Sequence, residues 1–296
     1  MEQALLANLF RRPLPQGVLL GIGDDAAVLP PNDSSILWTT DLLTEGVDFR
    51  LAETDPRRIG CKALAANLSD IAAMGGVPTA YLVALALPRD GALELAELLY
   101  EGMTSLEEKY GVALVGGDTN CWSGGLVVSI TVLGRAGPKG VWKRSGGKSG
   151  DMLLATGTFG GSILERQFSF EPRVFEAMYL NENHDIHAAM DVSDGLSLDV
   201  FRLATASGLG ATLFPDDIPI AADAVRLSQQ TGCTPLDHAL SDGEDFELIL
   251  AVEPSEAETL LQTQPLEKLF GTKLHRIGEL TPEPGLRPFS PKGFEH

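Results

Sequence analysis

The sequence predicts a mixed α/β protein with two domains, and three observations support this fold class. Apolar stretches typical of strands alternate with stretches of helical periodicity along the chain. The length of 296 residues suits one large domain or two ordinary ones. A segment rich in glycine and basic residues, 134–150, interrupts the chain near its middle. We therefore expect one domain at residues 1–137 and a second at 138–296.

The first domain is expected to hold two helices with recognisable ends. Asp55 suits an N-cap and Pro56 the first helical position, while the glycines at 75–76 suit a C-terminus. Apolar residues at helical spacing predict a second helix over 91–110. Short apolar runs predict the strands of this domain, at residues 35–40, 81–87, 113–115 and 126–133.

The second domain repeats the alternation of strands and helices. Apolar runs predict strands at 152–156 and 247–252. Helices are predicted around 174–179 and from about 194 to 206, the second one ending before Gly208. The order of the strands in either sheet does not follow from these patterns.

Composition excludes several classes of protein. The chain has 22 basic and 41 acidic residues, a net charge of −19, which argues against binding to nucleic acid or to anionic membrane. Its three cysteines form no CxxC pair, so neither a zinc site nor a disulfide framework is expected. The sequence begins without a signal-peptide pattern and has no apolar run near the ~20 residues of a membrane span. We expect a cytoplasmic protein.

Six short acidic segments carry most of the functional information. In each of them, carboxylates stand beside glycine or hydroxyl residues, and we expect each at a loop or at the end of an element. A single segment of this kind is more typical of an ordinary turn than of a site. The segments are GIGDD (21–25), TTD (39–41), NLSD (67–70), GGDTN (116–120), DVSDG (191–195) and SDGEDFEL (241–248).

Asp70 is placed where an anion needs compensation. The 3.6-residue period puts it on the same helix face as four apolar residues, so this face is expected to be mainly buried. It also lies near the end of its helix, where the macrodipole disfavours a negative charge. The apolar residues on that face are Ile59, Ala63, Ala66 and Ala73.

Four other aspartates, Asp25, Asp41, Asp118 and Asp191, each adjoin a strand-like stretch, so we expect them to gather at one rim. Two carboxylates ~4 Å apart repel each other by about 4 kcal/mol at an effective dielectric constant of 20. No Lys or Arg lies inside the first five segments. Bound Mg²⁺ accounts for the gathering, because hard oxygen ligands favour it over zinc.

Magnesium held by several carboxylates favours a phosphate substrate, because Mg²⁺ commonly bridges protein carboxylates to phosphate oxygens. Phosphoryl transfer depends on positioning and on charge neutralisation, so an ATP-dependent kinase or synthetase is the leading class. The GKS sequence at 147–149 is not a P-loop, since Trp142 stands where the first glycine is required and a strand is predicted to follow. The motifs of protein kinases are also missing.

In this order the segments resemble those of the thiamine-monophosphate kinases, members of the aminoimidazole-ribonucleotide-synthetase-like superfamily. The resemblance spans residues 21–248. It rests on GIGDDAAV, TTDLL, NLSDIAAMGGVP, VGGDTN, KRSGGKSGD, DVSDGL and GEDFEL. It implies two α/β domains and a homodimer formed through the N-terminal domains. It also implies direct, in-line transfer of phosphate from ATP to thiamine monophosphate through several Mg²⁺ ions, with no side chain acting as a covalent catalyst.

The resemblance also implies roles for individual residues. The positions that match metal ligands are Asp25, Thr39, Thr40, Asp41, Asp70, Asp118, Asp191 and Asp194. Those that match ATP contacts are Tyr100, Gly117, Asp118, Arg144 and Ser193. Glu244 matches a contact to the phosphate acceptor, and Asp48 is a second candidate for binding that acceptor.

Each role has a plainer alternative. Asp24, rather than Asp25, can be the ligand of its pair. Tyr100 suits a core position on an amphipathic helix, and Arg144 suits a solvated basic loop. Glu244 suits an ordinary turn.

Two departures from the family pattern lie on the substrate side. The family commonly has a His before the Phe that follows TTD, and here Asp48 stands before Phe49. Near the C-terminus the family often has a Trp, and here the matching position is Pro291. An Asp at position 48 can attract a cationic thiazolium ring by its charge.

These departures leave two alternatives open. The first is a related kinase or synthetase with a different small phosphorylated acceptor. The second is a non-catalytic nucleotide-binding relative. A calcium-binding module is disfavoured because the spacing of an EF-hand is missing.

Overall fold

The computed structural model describes residues 34–294, and the chain divides into two compact units. The N-terminal unit ends at Ile71 and resumes over Val77–Ala136, and the C-terminal unit comprises Ala72–Gly76 and the chain from Gly137 onward. The GIGDD segment, with Asp24 and Asp25, lies outside the described residues.

The N-terminal unit is built on a four-stranded sheet with the order β1-β4-β2-β3. Strand β1 pairs antiparallel with β4, and β2 pairs parallel with β3. Two helices cross closely, because an added Cβ on Gly60 would lie 2.1 Å from the carbonyl oxygen of Leu99. The elements are β1 (Ile36–Thr44), α1 (Pro56–Ala73), β2 (Gly76–Pro88), α2 (Ala92–Tyr110), β3 (Ala113–Trp122) and β4 (Val127–Ala136).

The C-terminal unit is built on a six-stranded sheet with the order β10-β7-β9-β5-β8-β6. All its pairings are antiparallel except that of β10 with β7. The strands are β5 (Met152–Thr156), β6 (Ala188–Asp191), β7 (Gly210–Leu213), β8 (Leu248–Val252), β9 (Leu274–Thr281) and β10 (Gly285–Arg287). The helices are α3 (Val174–Asn183), α4 (Leu196–Ala206), α5 (Ala222–Thr231), α6 (Pro235–Ser241), α7 (Pro254–Thr263) and α8 (Pro265–Phe270).

The core of the C-terminal unit lies between α4 and the sheet. Val200 and Leu203 of α4 are fully buried in one cluster with Ala188 of β6, Ile249 of β8 and Ile277 of β9. Strand β8 is buried along its whole length, which suits a central strand covered on both faces. This packing holds the C-terminal end of β6 and the N-terminal end of β8, which pair through Asp191 and Leu248, beside the start of α4.

The expectation that every acidic segment lies in a loop or at the end of an element is wrong for two of them. Thr39–Asp41 lies inside β1, and residues 116–120 lie inside β3. Both are edge strands. Such strands tolerate polar residues, because part of their surface remains in contact with water.

No helix in the part of the chain that the structure describes is long and apolar enough to cross a membrane.

Candidate functional site

Thr39 and Asp70 are brought together in the N-terminal unit. The Thr39 hydroxyl donates a hydrogen bond to Oδ2 of Asp70, so the first residue of the TTDLL segment is tied to the last turn of α1. The helix face that carries Asp70 is buried as predicted, with Ile59 and Ala63 at 0% exposure. Asp70 itself is only half-buried. The pair therefore presents hydroxyl and carboxylate oxygens side by side, which is a donor set that suits a hard cation.

Thr40 lies on the opposite face of β1 from Thr39. Its hydroxyl donates to the carbonyl oxygen of Ile130 at 3.0 Å and accepts from the Thr131 hydroxyl at 3.1 Å. Asp41 returns to the face of Thr39, because side chains alternate along a strand. The TTD segment thus directs Thr39 and Asp41 toward one side of the sheet and Thr40 toward the other.

Asp118 lies on β3, at the other edge of the sheet. Its side chain is exposed, and Oδ1 accepts from the backbone N–H of Thr119 at 2.9 Å. Strands β4 and β2 stand between β1 and β3, which are three strand spacings of about 4.8 Å apart. The structure therefore does not bring Asp41 and Asp118 together within one sheet.

Gly117 is required by the backbone of the neighbouring strand. An added Cβ at this position would lie 2.0 Å from the carbonyl oxygen of Val83. The residue before Asp118 therefore has to be glycine for β2 and β3 to keep this register.

Tyr100 and Asp48 are both tied into the fold. Tyr100 lies in the middle of α2 and is only 7% exposed. Asp48 closes the turn after β1, because its Oδ2 accepts from the backbone N–H of Thr44 at 2.6 Å. The buried ammonium group of Lys62 donates to the carbonyl oxygen of Asp48 at 3.0 Å.

In the C-terminal unit, the backbones of DVSDG and GEDFEL are joined. The N–H of Glu244 donates to the carbonyl oxygen of Ser193 at 2.7 Å, and that of Phe246 donates to Val192 at 2.8 Å. Glu244 and Phe246 adopt left-handed conformations, each with φ of 51°. Such conformations are costly for residues other than glycine and cluster at functional sites. The structure therefore places the segment of Asp191 and Ser193 beside that of Glu244.

A buried carboxylate fixes the turn that carries Ser193 and Asp194. Asp199, fully buried in the first turn of α4, accepts from the N–H groups of Ser193 at 3.1 Å and Asp194 at 2.9 Å. Arg202 donates to Asp199 at 2.8 Å and also to Asp194. Burial raises the pKa of Asp199 to about 6, although the hydrogen bond from the Asp194 N–H acts to lower it. The negative charges of Asp194 and Asp191 add to the increase.

Arg144 lies in the basic loop of residues 143–150, and its side chain is exposed. The loop is fastened near both ends. The carbonyl oxygen of Lys143 accepts from the N–H of Ala189 in β6 at 3.0 Å, and the N–H of Lys148 donates to Asp151 at 2.8 Å. Strand β5 begins at Met152, which confirms that a strand and not a P-loop helix follows the GKS sequence.

Sequence reasoning missed a set of buried ion pairs around a cavity of about 640 Å³ in the C-terminal unit. Arg173 binds Glu247 with two nitrogens, at 2.5 and 2.7 Å, and Arg166 pairs with Asp245. Phe170 and His275 also line the cavity. These partners lie more than 70 residues apart in the chain, so no local pattern could have paired them.

The donor chemistry of the N-terminal unit fits magnesium. In the described range 34–294, no three His, Cys, Asp or Glu side chains form a group that could hold a metal ion. Mg²⁺ is usually held by one or two carboxylates together with waters and substrate phosphates, so a complete protein cage is not required. Thr39 with Asp70 supplies oxygen donors of the right type.

Both halves of the chain match models of one family. The model of the N-terminal domain of AIR synthase related proteins matches residues 23–136, and that of the C-terminal domain matches residues 145–290. A thiamine-monophosphate kinase of Rhodopirellula baltica is 45% identical over 316 residues, which cover 100% of this chain and 97% of that relative.

Two solved structures have the same fold as this chain. The crystal structure of thiamine-monophosphate kinase from Stenotrophomonas maltophilia has a TM-score of 0.80 and 31% identity, and covers 96% of this chain and 94% of that chain. AaThiL complexed with AMPPCP and TMP has a TM-score of 0.77 and 26% identity, and covers 100% of this chain and 96% of that chain.

Proposed function

Because the chain belongs to the thiamine-monophosphate kinase family of AIR synthase related proteins, we propose that it phosphorylates thiamine monophosphate to thiamine diphosphate with ATP. The observation that carries this proposal is the 45% identity to a thiamine-monophosphate kinase over the whole chain. The six acidic segments of the chain lie within, or at the edge of, the two matched domains.

The N-terminal unit supplies the oxygen ligands in this proposal. Thr39, Asp41 and Asp70, with Thr39 and Asp41 on one face of β1 and Thr39 bonded to Asp70, would hold Mg²⁺ that arrives with ATP. Asp118, at the other edge of the sheet, would hold a separate ion. Thr40 is the weakest of these assignments, because it faces the other side and its hydroxyl is already bonded. Bound magnesium would neutralise charge on the phosphate oxygens. The hydrogen bond from Thr39 orients the Asp70 carboxylate before substrate binds, so less ordering remains to be done in the bound state. Asp25, outside the described residues, is assigned to the same set.

The C-terminal unit supplies further contacts to the substrates. Ser193 and Arg144 are assigned to ATP, with Asp191 and Asp194 as metal ligands. The guanidinium group of Arg144 suits phosphate oxygens, because its planar fork donates two parallel hydrogen bonds. Gly117 completes the assigned ATP contacts, and Tyr100 is a weaker candidate for one, because it is only 7% exposed within α2.

In-line transfer needs no covalent catalyst. An oxygen of the thiamine monophosphate phosphate attacks the γ-phosphorus of ATP, and the bond from that phosphorus to the bridging oxygen breaks to release ADP. Glu244 is assigned to the acceptor. Asp48 is a weaker candidate for the thiazolium contact, because one of its oxygens already accepts from Thr44 N–H.

A homodimer is part of the proposal. One face of the N-terminal sheet exposes large apolar side chains that a soluble monomer rarely gathers on one surface. Trp38 is 64% exposed and Leu42 is 61% exposed on β1, and Trp122 is 46% exposed on β3. We assign a second copy of this chain to that face.

A different acceptor is the second candidate, and the two substitutions on the substrate side favour it. Asp48 and Pro291 stand where the family commonly has His and Trp. The test is a mass-spectrometric screen of small phosphorylated acceptors, each incubated with the full chain, ATP and Mg²⁺. Formation of thiamine diphosphate supports the first candidate. Its absence, with another acceptor phosphorylated, replaces it with the second.

A further inference from the structure

The loop that carries Arg144 is held at its centre by one side chain from the C-terminus of α4. Ser207 follows the last residue of that helix. Its hydroxyl accepts from the N–H of Gly146 at 3.3 Å and from that of Gly147 at 3.1 Å, and donates to the carbonyl oxygen of Arg144 at 3.0 Å. A serine hydroxyl has one donor and two acceptor sites, so all three are used on this loop.

The loop is shaped for this contact. An added Cβ on Gly146 would lie 2.3 Å from the carbonyl oxygen of His187, and one on Gly147 would lie 2.4 Å from a Leu280 methyl group and 3.0 Å from the Ser207 hydroxyl. Glycines at both positions let the backbone approach Ser207 closely. The two glycines and the serine therefore act together to set the path of the backbone just after Arg144.

The Arg144 side chain depends on this backbone for its direction. No carboxylate among residues 34–294 forms an ion pair with it, and the side chain is exposed. The bond from Lys143 to β6 holds the chain before Arg144, and the bonds to Ser207 hold the chain at and after it. A guanidinium group that is aimed only through its backbone loses its direction when that backbone is released.

We propose that Ser207 is a positioning residue that aims Arg144 at the phosphates of the bound nucleotide. This inference rests on the proposed function for the role of Arg144, and it adds the group that makes that role possible. Ser207 touches neither substrate in this proposal. It acts through the backbone of residues 144–147 alone.

The test compares Ser207→Ala with Arg144→Ala and with the double variant in the full chain. Ser207→Ala should raise the KM for ATP roughly fivefold, the size of one hydrogen bond of ordinary strength, because only part of the stabilisation from the three lost bonds reaches the Arg144 side chain. The KM for thiamine monophosphate should stay within twofold of the wild-type value. In the Arg144→Ala background the same substitution should have no further effect, because its only route of action is gone.

Calorimetry with the analogue AMPPCP gives a readout that does not depend on turnover. Ser207→Ala should weaken AMPPCP binding by the same factor as it raises the KM for ATP. Ser228→Ala is the matched control, since that hydroxyl donates within α5, to the carbonyl oxygen of Val225 at 2.8 Å. The control should leave both affinities unchanged.

Two results overturn the inference: unchanged ATP and AMPPCP affinities in Ser207→Ala, or effects of Ser207→Ala and Arg144→Ala that multiply in the double variant. Failure of the proposed function is a separate result. A wild-type protein that binds AMPPCP yet forms no thiamine diphosphate contradicts that function, and the calorimetric comparison still decides the role of Ser207.

Discussion

Asp245 shows how strongly its surroundings can change one carboxyl group. It is almost completely buried, and its Oδ1 accepts from the N–H of Gly160 at 2.9 Å and from Arg166. Its Oδ2 is buried and makes no hydrogen bond in the described part of the chain. Burial raises the pKa of Asp245 to about 8, although the Arg166 charge and the Gly160 N–H act in the opposite direction.

This pKa predicts a pH dependence of stability. In the unfolded chain an Asp has a pKa of about 3.9. Between that value and about 8 the folded protein retains a proton that the unfolded chain has lost, so this group's contribution to stability falls as pH rises. We expect the unfolding free energy of wild type, relative to Asp245→Asn, to fall between pH 5 and 8, by at most about 1.4 kcal/mol per pH unit.

Urea denaturation at several pH values measures this difference. Asn leaves the charge of Arg166 in place, and this charge is constant over the range, so it cancels from the comparison. Asp216→Asn, at an exposed position, is the control and should follow the wild-type pH dependence. A difference that grows with pH contradicts the raised pKa.

Asp70 and Asp118 are predicted to matter for turnover and not for folding. Asp70→Asn keeps an oxygen that can accept from Thr39 and removes only the charge. Asp118→Asn removes the charge of an exposed side chain and keeps an oxygen that can accept from the Thr119 N–H. Each should lower kcat more than tenfold, a loss of more than about 1.4 kcal/mol of transition-state stabilisation.

Steady-state kinetics checks this expectation, with Asp90→Asn as a control on the exposed turn before α2. The control should keep the wild-type rate. Unchanged rates in both Asp70→Asn and Asp118→Asn count directly against their assignment as metal ligands.

For single residues, the sequence predicts burial and functional importance better than it predicts which residues they contact. The burial of the helix face around Asp70 follows from helical periodicity, and the structure confirms it. The bond from Thr39 joins residues 31 positions apart, and those from Ser207 join residues 60 to 63 apart. Such contacts arise from the tertiary fold, so a local pattern does not contain them.

The two helices of the N-terminal unit pack against each other through glycine. An added Cβ on Gly102 of α2 would lie 1.8 Å from the carbonyl oxygen of Arg57 in α1, and Gly60 of α1 meets Leu99 of α2 in the same way. Contacts this short are impossible for any larger residue without movement of one helix. The two glycines therefore set the distance between α1 and α2.

Gly102→Ala should destabilise the protein by about 1–3 kcal/mol, the usual cost of overpacking. Alanine's higher helix propensity, worth about 1 kcal/mol, offsets part of the clash. Glu108→Ala, at an exposed position of the same helix, should change stability by no more than about 0.5 kcal/mol. Chemical denaturation compares the two, and a Gly102→Ala protein as stable as wild type contradicts this packing.

Helices and strands were predicted well where periodicity and end signals agree. Helix α1 begins at Pro56 and α2 ends at Tyr110, as the sequence indicated. Strand β3 was predicted only for residues 113–115, because the glycine and polar residues that follow resemble a turn. That stretch is a strand because its backbone pairs with β2 as far as Trp122, and pairing with a distant strand is not visible locally.

For the whole molecule, the exposed face of the N-terminal sheet leads to a prediction about assembly. Trp38→Glu places a charge among exposed apolar side chains of β1, and burying that charge in an interface would be costly. We expect the wild-type protein to sediment as a dimer and Trp38→Glu to shift toward the monomer.

Analytical ultracentrifugation measures both species over a range of protein concentration. Val225→Glu is the control, since Val225 is 45% exposed on α5 of the C-terminal unit. It should remain dimeric. A wild-type monomer, or a Trp38→Glu dimer as stable as that of wild type, contradicts the assignment of a second copy to this face.

The alternation of strands and helices predicted the mixed α/β class, and the structure confirms it. Strand order was beyond the sequence, because β1 pairs with β4, a strand more than 80 residues later. The same limit applies to the site. The sequence predicted that Asp41 and Asp118 gather at one rim, whereas the structure puts them on opposite edges of one sheet.

The most direct test follows the transferred group itself. The full chain is incubated with thiamine monophosphate, Mg²⁺ and ATP carrying ¹⁸O in the three terminal oxygens of its γ-phosphate, and the products are weighed by mass spectrometry. The proposed transfer predicts thiamine diphosphate that carries all three labelled oxygens, together with unlabelled ADP. Thiamine monophosphate left unchanged while ATP is retained, or labelled inorganic phosphate as the only labelled product, would contradict it.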